Sequence, residues 1–190
     1  LTGALQKAAD AHLTVVHDTA QSVERDGSGF SVRLSGGVLR ANDVVLACQA
    51  NEAGELLRGL DPGLAALLAS VPYNSSITVA LGYDAGDYDG FRKGFGFLIP
   101  KLERGRLMAG TWVGTKFPYR VPEDKVLLRC FLVVPFEGDD QALVAHLRGE
   151  LQELFGLTAA PRFSRVARWE RSMAQYTVGH QRRVEAIEER

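Results

Sequence analysis

The residue types that most often carry chemistry are few in this sequence, and their spacing is wrong for the commonest tasks. Four histidines, His12, His17, His146 and His180, form no HExxH or comparable ligand pair, so no bound metal is expected. Asp84, Asp87 and Asp89 lie close together, but the stretch lacks the glycine and glutamate that an EF-hand loop needs at its sixth and twelfth positions; a solvated acidic loop is the expectation. Cys48 and Cys130 have no metal-type spacing and sit in apolar runs, which reads as two buried free thiols in a reducing compartment, by default the cytoplasm. There is no GxSxG elbow, P-loop or CxxC, and no GxGxxG that opens a strand-to-helix turn. Nucleophilic and metal-assisted catalysis therefore have no visible actor, and no catalytic residue is assigned.

What the sequence offers instead is an apolar platform. Residues 94–100 read Gly-Phe-Gly-Phe-Leu-Ile-Pro, a charged turn follows at Glu103, Arg104 and Gly105, and residues 107–112 read Leu-Met-Ala-Gly-Thr-Trp. Two apolar runs around a short charged segment predict a β-hairpin. Glycines inside it, at 94, 96 and 110, mark places where a ligand or another backbone approaches closely, so the hairpin suits either a large apolar ligand or an ordinary core. Residues 126–134 form a second run, interrupted only by Arg129. Period two puts Val126, Leu128, Cys130, Leu132 and Val134 on one face, and Leu127, Arg129, Phe131 and Val133 on the other. Arg129 thus shares a face with Phe131, where it pairs either with a ligand carboxylate or with water or a neighbouring glutamate.

The elements that position these residues follow from periodicity. Leu1, Leu5, Ala8 and Ala9 mark the tail of an amphipathic helix, and Leu13, Val15, Val16 and Val23 belong to extended segments. A turn at residues 26–29 opens a meander through Phe30, Val32, Leu34, Val38 and Leu39. It leads into Val44, Val45, Leu46, Ala47 and Cys48, which lack alternation and predict a strand covered on both faces. Asn51 is expected to cap a short helix closed by Gly59. Asp61 and Pro62 start another, carrying Leu64, Leu67, Leu68 and Val71 and stopped by Pro72. Alternation over Ile77, Val79, Leu81 and Tyr83 gives a half-buried strand. Asp139 or Asp140 caps a helix with Leu143, Leu147, Leu151, Leu154 and Phe155 on one stripe and Gly156 beyond its end. Residues 163–169 form a further strand, residues 173–179 a loop, and the chain finishes in a helix. Strands and helices do not alternate strictly, so the fold class is α+β, an antiparallel or mixed sheet flanked by helices.

Bulk properties exclude several partners. The 190 residues are enough for one domain or two small ones, and a formal charge of −1 gives no general affinity for nucleic acid or acidic membranes. No apolar stretch reaches the ~18 residues of a spanning helix, so membrane contact would be peripheral. Neither terminus carries a helix cap, which reads as a fragment.

One family fits the pattern of motifs. Residues 168–180, Arg-Trp-Glu-Arg-Ser-Met-Ala-Gln-Tyr-Thr-Val-Gly-His, resemble the RW-x3-MPQY-x-VGH segment of the FAD-dependent protoporphyrinogen oxidases, in the monoamine oxidase-like flavoprotein superfamily. The stretch 94–100 resembles their GFG-x-L-x-P, residues 116–118 their SKFP, and residues 44–50 their VVxAxPA strand, all in the family's order across nearly the whole chain.

The resemblance implies an FAD-linked reductase C-terminal-like substrate domain over 51–170, a partial FAD-binding domain over 1–50 and a return segment toward it over 171–190. It implies that Ala20, Ala47 and Trp169 contact FAD, and that Phe95, Gly96, Leu98 and Phe131 line the wall facing the tetrapyrrole. For the whole enzyme it implies oxidation of protoporphyrinogen IX or coproporphyrinogen III to the porphyrin in haem biosynthesis, by hydride transfer to FAD with dioxygen as acceptor. As a separate chain the piece is expected to be inactive, because the pyrophosphate-binding motif lies outside it, and to self-associate through exposed apolar surface. Two departures matter, Ala174 where MPQY has proline and Val133 and Val134 where a glycine pair is usual; Ala20 where the family has valine is tolerated, because only main-chain atoms are needed there. Two other readings stay open, another amine oxidase-like flavoprotein and a non-catalytic module that binds an apolar ligand or a partner chain.

Overall fold

A computed structural model describes residues 2–90 and 94–190. In chain order the elements are α1 (Thr2–Ala9), a 3-10 turn (Asp10–His12), β1 (Ala20–Asp26), β2 (Gly29–Leu34), β3 (Gly37–Ala41), α2 (Ala50–Leu57), α3 (Pro62–Ala69), β4 (Tyr73–Asp84), β5 (Gly96–Leu98), β6 (Leu107–Trp112), α4 (Val113–Lys116), β7 (Lys125–Leu132), α5 (Asp140–Phe155), β8 (Phe163–Ala174) and α6 (His180–Glu188). Leu1, expected in the first helix, lies outside the described residues. The sheets are antiparallel and flanked by helices, the α+β class that the periodicities predict.

The chain forms two compact units, one made of the described residues up to Pro72 with Tyr176–Arg190, the other of Tyr73–Gln175. Compactness divides the described chain at 72 and 175. The reason is that α2 and α3 pack on each other and on elements of the first unit. Gly54 permits this approach, since a Cβ there would meet the Ala65 carbonyl oxygen at 2.8 Å. Asp61 accepts from Leu64 N at 2.9 Å, the expected cap of α3, and also accepts from Arg190 Nη1 at 2.9 Å beside α6. In the same unit β1, β2 and β3 form the expected meander, with Val23 buried at its centre.

Two expectations in this unit fail. Residues 44–48 form no strand, Val45 is 90% exposed, and Cys48 is exposed rather than buried. An apolar run becomes a strand only when neighbouring strands take its N–H and C=O groups, and among the described residues none pairs with it. Leu13, Val15 and Val16 are likewise half exposed and outside any strand. Asn51 lies inside α2, whose N-cap is Gln49, with no side-chain hydrogen bond.

The second unit is built on a five-stranded sheet of order β5-β6-β7-β4-β8. One face carries Ile77, Val79, Leu81 and Tyr83 from β4 and Val126, Leu128, Cys130 and Leu132 from β7. These pack in one core with Leu143, Leu147 and Leu151 of α5. Helix α5 has the expected ends: Asp139 accepts from Ala142 N at 2.8 Å, and Gly156 takes the left-handed conformation at φ 68°. Burial of Cys130 raises its thiol pKa far above the usual range, so this cysteine is the inert buried thiol that the sequence predicts. Strand β8 runs five residues beyond the expected 169, to Ala174. It holds to β4 through a bulge at which Arg171 has φ 45° and its N–H donates to Ser75 Oγ at 3.0 Å.

The expected acidic loop is only partly solvated. Asp84 accepts from Lys125 Nζ at 2.8 Å and from Arg162 Nε, while Asp89 accepts from Thr158 N at 3.1 Å and Ala159 N at 3.2 Å. No three-residue His/Cys/Asp/Glu cluster for a metal exists among the described residues. Hydrogen bonds from Lys125 and Arg162 hold the Asp84 carboxyl below its ordinary value of 3.8. A depressed carboxylate pKa adds stability that is fully present above the unfolded value and is lost as pH falls through the folded value. Asp84→Asn should therefore lower the melting temperature near neutral pH, with the difference from wild type closing as pH drops below about 3.8. Parallel thermal melts over that range check it, and a gap that widens in acid would refute it.

Candidate functional site

The open face of the five-stranded sheet collects most of the residues singled out above. Strand register writes it as two rows. In the first, Leu98 faces Ala109, Ala109 faces Phe131, Phe131 faces Thr78, and Thr78 faces Ala167; in the second, Gly96, Thr111, Arg129, Ala80 and Arg165 follow one another across the same strands. Directly opposed residues share a face, and alternation places these rows opposite the α5-covered core. The small residues Gly96, Ala80 and Ala109 keep the surface low, with Phe131 and Arg129 standing on it.

The hairpin is shaped by contact between its own strands. A Cβ on Gly96 would lie 2.3 Å from the Gly110 carbonyl oxygen, and a Cβ on Gly110 would lie 2.4 Å from the Phe97 ring. Both glycines are thus required for close packing, which answers one of the two readings of the platform. Phe97 turns to the core, with its centroid 5.5 Å from Trp112 and 4.5 Å from Phe155. Phe95 and Leu98 remain 64% and 85% exposed. Together with Gly96, Lys116, Arg129 and Phe131 they line a groove of about 550 Å³. The structure therefore brings all four expected substrate-wall residues, Phe95, Gly96, Leu98 and Phe131, to one groove.

Trp169 of β8 lies on the same face, 51% exposed, its Nε1 donating to Thr78 Oγ1 at 3.0 Å. Thr78 is the direct cross-strand neighbour of Phe131, so one hydroxyl fixes the indole next to the aromatic of the groove. The remaining expected flavin contacts belong to the other unit. Ala20 opens β1 and is exposed, and Ala47 sits in the unpaired, exposed segment 44–48. Ala20 is paired with Leu34 in the β1–β2 ladder, whereas the main-chain groups of Ala47 lie outside any ladder among the described residues and are chemically able to hydrogen-bond a cofactor. The pyrophosphate would need a glycine-rich loop of a kind this sequence does not contain.

Two basic residues in the groove were not assigned from sequence. Lys116 lies in the short helix α4 with its ammonium 5.6 Å from the Phe117 ring centroid, and Arg129 stands at the centre of the second row. The Arg129 guanidinium lies 5.1 Å from the Phe131 centroid, and its Nε is buried without a hydrogen-bond partner. Parity puts Arg129 beside Phe131, but only the tertiary structure shows that no carboxylate among the described residues meets it. A larger recess of about 750 Å³ lies between α4 and the start of β7, against the loop 117–124, and contains none of the expected site residues. The open face is the stronger candidate because it joins an aromatic wall to convergent polar groups.

No family model matches the sequence. Curated relatives do: the chain is 30% identical over 175 residues to the coproporphyrinogen III oxidase of Bacillus subtilis, covering 88% of this chain and 36% of the relative. It is 34% identical over 118 residues to that of Staphylococcus aureus, covering 58% and 25%, and 30% identical over 180 residues to that of Propionibacterium freudenreichii, covering 92% and 33%. The chain thus spans about a third or less of the length of these relatives. Among solved structures it resembles a putative protoporphyrinogen oxidase from Exiguobacterium, with TM-score 0.79 and 21% identity over 98% of this chain and 42% of that one. A putrescine oxidase variant gives TM-score 0.68 at 16% identity, over 97% and 43% of the two chains. The chain has the fold of the amine oxidase-like flavoproteins and is related in sequence to the coproporphyrinogen III oxidases, in keeping with the family its motifs resemble.

Proposed function

We propose that the protein containing this chain oxidises a porphyrinogen to the porphyrin in haem biosynthesis, and that this chain supplies most of the substrate-facing sheet. The observation that carries the reading is the 30–34% identity to curated coproporphyrinogen III oxidases, with the groove of Phe95, Gly96, Leu98 and Phe131 as its structural counterpart. A macrocycle with an apolar body and acidic side chains matches a groove that is aromatic in its wall and basic at its polar positions.

In this reading a flavin, when bound by the whole protein, would supply the two-electron chemistry as hydride acceptor with dioxygen as the final oxidant. The chain's own residues orient and exclude water. Phe131 and Leu98 pack on the macrocycle, Trp169 fixes the border of the site through Thr78, and the low row of Gly96, Ala80 and Ala109 lets a flat ring lie close to the sheet. No acid or base from this chain is required. The segments around Ala20 and Ala47 contribute main-chain contacts to FAD, and the rest of the protein contributes the pyrophosphate loop. Taken alone, the chain would be inactive and would self-associate through its exposed apolar residues; in the whole protein any membrane contact is peripheral, on the cytoplasmic side.

The test uses the complete gene product. Purified protein should carry bound flavin, and addition of coproporphyrinogen III or protoporphyrinogen IX under air should produce porphyrin fluorescence faster than the spontaneous reaction, with loss of the enhancement when oxygen is removed. A flavin-free protein that accelerates neither reaction would refute the reading. Flavin with turnover of an amine in place of either porphyrinogen would favour a different amine oxidase-like activity.

A further inference from the structure

Arg129 is the one charged residue of the groove that the fold itself leaves unexplained. It lies in β7, a central strand, flanked across the sheet by Thr111 and Ala80, neither of which can neutralise it. It makes no ion pair among the described residues, and its Nε is buried without a partner. A half-buried guanidinium without a counter-charge is costly, and an aliphatic residue would serve a sheet face better if nothing were bound there. Its neighbours sharpen the point. The two rows of the open face contain Arg129 and Arg165 and no acidic residue, and the groove adds Lys116 and likewise has no acidic residue. The guanidinium carbon lies 5.1 Å from the Phe131 ring centroid, and among the described residues no hydrogen bond or ion pair occupies the guanidinium, whose planar set of donors suits a carboxylate.

We propose that Arg129 is a carboxylate-binding residue of the groove, forming a charge-assisted pair with an acidic side chain of the bound tetrapyrrole while Phe131 and Leu98 pack on the ring. The proposal rests on the porphyrinogen reading above and adds to it the residue that recognises the substrate's charge. Lys116 contributes a second, more exposed positive charge at the groove, which strengthens attraction without fixing geometry.

The stable porphyrins serve as probes. Coproporphyrin III, with its free carboxylates, and its tetramethyl ester, which has none, are titrated into the complete gene product in the same dilute detergent, and binding is followed by fluorescence. Wild type should bind the free acid more tightly than the ester. Arg129→Gln should weaken the free acid about tenfold or more and leave the ester within about twofold. Arg129→Lys should recover part of the loss, because an ammonium keeps the charge but not the planar fork. Lys116→Gln should have the smaller effect, and that effect should fade with added salt. If Arg129→Gln is too unstable to titrate, the lysine variant carries the same contrast between acid and ester. Equal weakening of both ligands, or no change in either, would overturn the proposal while leaving the porphyrinogen reading in place. Failure of the wild type to bind either porphyrin would overturn both.

Discussion

Replacing Leu147 by alanine is expected to lower the stability of the sheet unit by about 2–5 kcal/mol. Leu147 is fully buried, with Leu143 and Leu151 one turn to either side, and the three leucines are the stripe by which α5 packs in the core with β4 and β7. The backbone around Leu147 is helix on one side and sheet on the other, so the void cannot collapse and the full transfer and cavity costs are felt. Since whole domains retain only about 5–15 kcal/mol, the loss is a large share of the total. Leu154 on the same helix, 45% exposed, is the control: its alanine variant should lose no more than about 1 kcal/mol, in proportion to the smaller area removed from water. Urea unfolding followed by tryptophan fluorescence measures both, and similar midpoints for the two variants would show that α5 does not carry the core as described.

The second large effect is expected at Glu150. Its carboxylate accepts from Arg106 N at 2.8 Å and from Leu107 N at 2.9 Å, and His146 Nε2 lies 2.8 Å from the same oxygen that receives Arg106. The side chain is only 12% exposed. One residue of α5 thereby holds the beginning of β6, the strand of the groove hairpin that pairs with β5. Gly105 belongs to the same arrangement, because a Cβ there would meet Glu150 Cδ at 2.9 Å. Removing the carboxylate leaves two backbone donors short of an acceptor, and hydrogen bonds to a charged group contribute about 1.5–3 kcal/mol each. Glu150→Ala should therefore cost on the order of 3 kcal/mol, and Glu150→Gln, which keeps one acceptor oxygen, about half of that. Hydrogen exchange gives the local readout: the amides of Arg106 and Leu107 should lose protection in the alanine variant before the amides of β4 do. Uniform loss across the sheet would indicate a global effect instead.

Sequence and structure agree best where a residue's environment is set by its own element. The α5 stripe at Leu143, Leu147 and Leu151, the two faces of β7 and the hairpin around residues 94–112 are repetitive patterns that imply which side must be covered, although Leu154, expected on the same stripe, falls off the buried face near the helix end and is 45% exposed. The cap at Asp61 and the stop at Gly156 are equally local, since a side-chain oxygen or a positive φ acts within one turn of chain. These readings were enough to put Phe131 and Arg129 on one face and to give the α+β class. The family motifs carried the rest of the expectation, and the tertiary structure gathered Phe95, Gly96, Leu98 and Phe131 in one groove.

What failed was non-local. Residues 44–48 have the composition of a buried strand, yet strand formation depends on a neighbour that composition does not specify; among the described residues the run is unpaired and Cys48 is exposed. Strand β8 extends past Trp169 because β4 offers partners as far back as Tyr73 and a bulge at Arg171 restores the register, although Ser172, Met173 and Ala174 show no alternation of their own. By itself, then, the sequence determined the class of fold, the covered faces of its main elements and the residue types of an apolar platform. Only the tertiary structure decided that Thr78 fixes Trp169, that Glu150 restrains β6, and that Arg129 stands in the groove without a counter-charge among the described residues. The physical reason is that periodicity records which side of an element avoids water, whereas pairing between elements depends on distances across space that no spacing along the chain encodes.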